Sequence, residues 1–208
     1  MQGDEDSGRR SPKERGLTLD NRISLIRPGV TATHGAWADL GCGAGAFTAA
    51  LASLLQSGSV IHAVDRDRRA LATLEQELAG PSRRPGSTDV RITCIPGDFT
   101  RQVVLPPLDG VLIANALHFH RDACAVLARV GRWLKPAAVL IVVEYDVRRA
   151  SPWVPHPLPW ERFEETASCA GLRGVRLLGT RPSAYHQSMY AAACSFASAP
   201  LAQTGSGR

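Results

Sequence analysis

Residues 137–145 read Ala-Ala-Val-Leu-Ile-Val-Val-Glu-Tyr, an almost unbroken apolar run. It is far shorter than the roughly 18–20 apolar residues a membrane-spanning helix needs. It also lacks the alternating polar positions of a half-exposed strand. The run is therefore expected as a central strand buried on both faces, and such strands belong to parallel sheets covered by helices. That constraint commits the chain to a layered α/β architecture.

The rest of the pattern agrees. A helix is expected over Leu17 to Arg27, with Leu19, Ile23 and Ile26 on one face and Pro28-Gly29 as its stop. Strands are expected at Ala36 to Leu40, Ser59 to Val64, Val90 to Ile95 and Gly110 to Asn115. Helices are expected after the first strand (AFTAALASLL), over Asp67 to Leu78, over roughly 120–134 and over Trp160 to Ala170. The final strand-like runs, GVRLLGT and SMYAAACSF, are too close in sequence for a crossover and should pair antiparallel. The count is seven strands.

With 208 residues and 44% hydrophobic content, one domain over 17–198 is expected. Residues 1–16 and 199–208 read as a disordered leader and tail. No stretch reads as a secretory signal or a membrane span, and five scattered cysteines without Cys-x-x-Cys spacing argue against a disulfide scaffold, so a cytoplasmic location is expected. The net charge of +5 comes almost entirely from arginine in short scattered groups, with Lys13 and Lys135 the only lysines. A nucleic-acid surface would need those arginines on one face, so a nucleic-acid partner is not the expectation.

The chemistry concentrates in Asp39-Leu40-Gly41-Cys42-Gly43-Ala44-Gly45, between a strand and a helix. Small residues there let the backbone approach a ligand closely. Asp65, which closes the second strand, is placed to accept from both hydroxyls of a ribose. This pair alone also suits a dinucleotide. Asp39 stands where it would repel a pyrophosphate but balance an ammonium group, and Gly97-Asp98-Phe99 puts an acceptor and an aromatic ring where an adenine would lie.

In this order, WADLGCGAGAFT, IHAVDRD, PGDF, LDGVLIANALHF and LKPAAVLIVVEYD resemble the class I S-adenosylmethionine-dependent methyltransferases over about residues 17–197. The resemblance implies a Rossmann-like, doubly wound α/β fold: a seven-stranded, mostly parallel sheet with a C-terminal antiparallel hairpin. It implies S-adenosyl-L-methionine as cofactor. Gly41, Gly43 and Gly45 would shape the loop around the methionine and ribose, with Asp39 near the amino group. Asp65 would hold the ribose, Arg66 would lie by the adenine, Asp98 would accept from the adenine amine, and Phe99 would flank the ring. Asn115 and the residues after it would lie nearest the reactive methyl.

Methyl transfer from a sulfonium is an in-line displacement that needs a positioned nucleophile in a water-excluding pocket. A hydroxyl, thiol or ammonium acceptor must also lose a proton. His118, His120, His156 and His186 have suitable side chains, and His118 is the expected base because it follows the end of the fourth strand. No metal is expected. The Asn/Asp-Pro-Pro-Tyr/Phe motif of amino-methylating relatives is absent from Asn115-Ala116-Leu117-His118. The expected acceptor is a small molecule. An RNA or protein methyltransferase, a non-catalytic cofactor-binding module and a nicotinamide oxidoreductase are the alternatives.

Overall fold

The computed structural model describes residues 17–79, 89–182 and 188–196. The expected leader and tail lie outside the described residues, as does His186.

The elements follow in the order α1 (Leu19–Ile26), β1 (Ala36–Leu40), α2 (Ala46–Ala52), β2 (Val60–Asp65), α3 (Arg68–Ala79), β3 (Arg91–Pro96), β4 (Leu108–Ala114), α4 (Ala123–Val130), β5 (Leu134–Tyr145), α5 (Trp160–Cys169), β6 (Leu172–Pro182) and β7 (Ser188–Phe196). They build one seven-stranded sheet in the order β3-β2-β1-β4-β5-β7-β6. β1 to β5 are mutually parallel, and β7 lies antiparallel between β5 and β6. The fold class expected from the sequence is the one observed. The apolar run is indeed internal, flanked by β4 and β7.

Strand alternation sorts the side chains into two layers. Trp37, Ile61, Leu112, Val139, Ile141 and Val143 face α1 and α2, packing on Leu25, Ile26, Phe47 and Leu51. Ala38, Leu40, Val111, Ile113, Leu140 and Val142 face the other way, against Val126, Leu127, Phe163 and Ala167 of α4 and α5. Tyr190 of β7 closes that second layer, its hydroxyl donating to the Leu158 carbonyl at 2.8 Å.

Several boundaries move for local reasons. α1 starts only at Leu19 because the Thr18 side chain accepts from the Asn21 amide and caps the helix. Its buried residues are Leu25 and Ile26, whereas Leu19 is exposed, so Leu19 does not belong to the packed face. The expected 120–134 helix is shorter because Asp122 caps α4 through the Ala125 amide, and residues 131–133 tighten into a 3-10 turn. β5 extends back to Leu134 through an irregular stretch where Ala137 adopts φ 64°, and its regular pairing with β4 resumes at Val139.

Gly110 of β4 packs closely beneath Trp37 within the first of these layers. A Cβ there would lie 2.5 Å from ring carbons of the fully buried Trp37. Gly110→Ala is expected to cost about 1–3 kcal/mol through overpacking, read as a lower denaturant midpoint. An unchanged midpoint would mean the indole has room to shift.

Candidate functional site

Five parallel strands deliver their C-terminal ends to one edge of the sheet, and a cavity of about 370 Å³ opens there. The β1–α2 turn contributes Gly41 and Gly43, the end of β2 contributes Asp65 and Arg66, and the turn after β3 contributes Gly97, Asp98 and Phe99. The segment after β4 supplies Asn115, Ala116, Phe119 and His120. Seven of the ten residues named from the sequence therefore line one hollow: Gly41, Gly43, Asp65, Arg66, Asp98, Phe99 and Asn115.

The floor is made by backbone that satisfies itself. The amides of Gly41 and Cys42 both donate to the Val64 carbonyl, at 2.8 and 3.1 Å. The Gly43 amide donates to Asp65 Oδ2 at 2.8 Å, and the Asp67 amide to Asp65 Oδ1 at 2.8 Å. The amides of Gly41, Cys42 and Gly43 are thus engaged within the chain. Gly41 has φ 76°, and a Cβ on it would meet the Ala116 Cβ at 2.6 Å, so only glycine lets β1 and the post-β4 segment close together.

Asp98 accepts from both the amide and the hydroxyl of Thr100, at 2.9 and 2.6 Å. Partial burial pushes its pKa upward, but those two bonds, with His120 and Arg101 nearby, leave it below the ordinary carboxylate value. Phe99 is buried and meets His120 edge to face, with ring centroids 5.4 Å apart. Burial depresses the His120 pKa; Arg66 and His118 act in the same direction, against Asp98 and Glu144. Asn115 holds a left-handed backbone (φ 53°), its amide donates to the Val143 carbonyl, and its buried Oδ1 has no partner.

Three named residues lie behind the cavity wall. Asp39 shares the parity of Trp37 on β1, so it points toward α2 and not into the crevice. It is fully buried, with Oδ2 accepting from the Thr48 hydroxyl at 2.6 Å and Oδ1 unpartnered. Gly45 caps α2 at φ 85°, and a Cβ there would strike Leu74 of α3 at 2.4 Å, so its role is helix packing.

His118 is also buried, 2% exposed, and lines no part of the hollow. Its Nδ1 lies 2.7 Å from Oε2 of the buried Glu144, whose Oε1 accepts from the amides of Leu117 and His118. A carboxylate accepting on every side requires Nδ1 to donate, which leaves Nε2 as the free lone pair. Glu144 was not among the candidate site residues read from the sequence. Its position at the end of β5, beside the end of β4, was the signal that it belongs with His118. Among the described residues, no group of three or more His, Cys, Asp or Glu is arranged to hold a metal ion. No helix among them is long and apolar enough to cross a membrane.

The methyltransferase-domain family matches residues 38–140, the stretch from β1 into β5 that builds most of this hollow. The chain belongs to the class I S-adenosylmethionine-dependent methyltransferases. A search of curated protein sequences finds no match. Among solved structures, the fold is similar to the mitomycin 7-O-methyltransferase MmcR, at 19% identity and TM-score 0.62, over 84% of this chain and 53% of that one. It is similar to Haemonchus contortus phosphoethanolamine N-methyltransferase 2, solved with phosphomonomethylethanolamine and S-adenosylhomocysteine, at 15% identity and TM-score 0.67, over 85% and 52%. It also resembles the CcbJ methyltransferase of Streptomyces caelestis, at 15% identity and TM-score 0.65, over 93% of this chain and all of that one. The chain spans about half the length of the first two.

The residues present fit the family's cofactor, S-adenosylmethionine. The Gly43 position is open, with nothing within 4 Å of a Cβ, and the orphaned Asn115 Oδ1 is an acceptor at the cavity wall. Cys42, whose thiol is pushed well up by burial and then by Asp39 and Asp65, is inert packing.

Burial lifts the Asp39 pKa from 3.8 to about 7, against the Thr48 hydrogen bond and with help from the Asp65 charge. The folded protein therefore holds a proton that the unfolded chain releases near pH 4, so stability falls as pH rises from about 4 to about 7. Asp39→Asn removes that titration. The variant's denaturant midpoint should be flatter across this window, by an amount on the order of 4 kcal/mol at most. Parallel wild-type and variant curves would refute the burial argument.

Proposed function

We propose that the chain transfers the methyl group of S-adenosylmethionine to a small-molecule acceptor, with His118 as the proton acceptor. The observation that carries this reading is the cavity at the strand ends with the His118–Glu144 pair directly behind its wall. When bound, S-adenosylmethionine supplies an electrophilic methyl on a sulfonium.

Asp65 already grips the Gly43 and Asp67 amides, one on each oxygen. Each oxygen keeps a second lone pair for a ribose hydroxyl. Asp98, held in place by Thr100, accepts from the adenine amine, while Phe99 and His120 form the wall around the ring, with Arg66 beside it. Asn115 presents its Oδ1 as a further acceptor. Asp39 and Gly45 act from behind: one fastens α2 to β1, the other lets α3 pack against the turn.

Glu144 fixes the His118 tautomer, so that Nε2 accepts the acceptor's proton. The Phe119 ring covers His118 at a centroid distance of 4.3 Å and is itself 49% exposed. Support for a small acceptor comes from the size of the hollow and from the similarity to a mitomycin 7-O-methyltransferase and to a methyltransferase solved with phosphomonomethylethanolamine.

Asp65→Ala should weaken cofactor binding by about 1–3 kcal/mol, because hydroxyl donors lose an ionic acceptor. Calorimetry with S-adenosylmethionine reads this directly, and an unaltered affinity would remove the ribose role. His118→Ala should lower turnover by about 10²–10⁴ while leaving cofactor affinity close to wild type. A turnover little changed would take the proton-acceptor role away from this residue.

A further inference from the structure

The odd, scattered cysteines argued against a disulfide scaffold, and the structure contains a single bridge among the described residues. Cys124 near the start of α4 and Cys169 at the end of α5 form a disulfide, with Cα atoms 5.9 Å apart. They are 45 residues apart in sequence, and only the packing of α4 on α5 brings them together. Cys42 and Cys194 are buried free thiols, and Cys94 is a partly buried one.

The bridge is accessible from two sides. Cys169 is exposed. Cys124 lines a second cavity of about 670 Å³, which shares His120 with the first. Arg121 and Arg162 also line it, and both are exposed. The single acid among its lining residues, Asp122, is engaged in capping α4 through the Ala125 amide at 2.9 Å. A roomy, positively charged hollow thus surrounds a reachable sulfur–sulfur bond.

We propose that this second cavity is the docking site of an anionic low-molecular-weight thiol that exchanges with the Cys124–Cys169 disulfide. The thiolate attacks Sγ of Cys124, which lines the cavity; a new sulfur–sulfur bond forms there, and the electron pair of the broken bond leaves on Sγ of the exposed Cys169. A second thiolate attacks the small molecule's sulfur in the mixed disulfide and releases Cys124. The two small thiols are oxidised to their disulfide, the protein gains two electrons, and the two protons given up by the small thiols end on Cys124 and Cys169. The reverse steps reseal the bridge.

Glutathione is a suitable anionic probe and 2-mercaptoethanol its neutral control, applied to the full chain at matched thiolate concentration. Alkylation quenching and peptide mass mapping then follow the two cysteines. The expected result is a glutathione adduct at Cys124 on the way to two free thiols. The double variant Arg121→Ala/Arg162→Ala should slow reduction by glutathione about tenfold, through lost electrostatic attraction, and leave the neutral thiol's rate unchanged. Should that variant fold poorly, added salt must slow glutathione but not 2-mercaptoethanol on the unmodified chain. The proposal is overturned if untreated protein carries no Cys124–Cys169 bridge, if adducts form only on other cysteines, or if charge and salt affect both thiols equally. None of these readings depends on methyl transfer.

Discussion

The hollow exists because backbone leaving buried parallel strands must find hydrogen-bond partners before it can turn. β1 solves this by handing the amides of Gly41 and Cys42 to the Val64 carbonyl and that of Gly43 to the Asp65 carboxylate. Buried amides without such partners would each cost about 1–3 kcal/mol. β4 solves it differently, turning through the left-handed Asn115 and giving the Leu117 and His118 amides to Glu144 of the neighbouring strand. Two carboxylates, Asp65 and Glu144, thus hold the two loops whose separation defines the cavity. These carboxylates are first of all structural supports, which explains how their positions at the strand ends are fixed.

This dual use also separates groups that sequence alone treats alike. Asp39, Asp65, Asp98 and Glu144 all stand at or near strand ends. Strand parity and the chain's own donors send them to different fates. Asp39 faces a single hydroxyl in a dry layer, and its pKa rises to about 7. Asp98 receives two donors from Thr100 at the cavity rim, and its pKa falls. Depth of burial first, and then the donors each carboxylate receives, separates the raised pKa of Asp39 from the lowered one of Asp98.

Most of the sheet was legible because its signals are local. The apolar run of β5, the glycine turn after β1 and the short loop before β7 each carry their own instruction. The cavity lining was legible where motif spacing coincides with strand ends, as at Asp65, Asp98 and Asn115. It failed at Asp39, where spacing placed the residue beside the ligand but the strand's twofold period turned it toward Thr48. It failed again at Gly45, whose neighbour Leu74 lies on a different helix. The pairing of His118 with Glu144, 26 residues away, and of Cys124 with Cys169 depends on which strands and helices become neighbours. No window of sequence contains that information.

The two cavities divide charge between them, with His120 as their common wall. Asp65, Asp67 and Asp98 against the single Arg66 make the first hollow acidic, which suits a ligand bearing a sulfonium and an ammonium. Arg121 and Arg162 against an already engaged Asp122 make the second basic. Burial holds that imidazole below the usual histidine pKa, with Arg66 and His118 acting in the same direction and Asp98 and Glu144 against it. The groups that act on His120 thus belong to the first hollow and the buried pair beside it, and the second hollow shares the residue as wall alone.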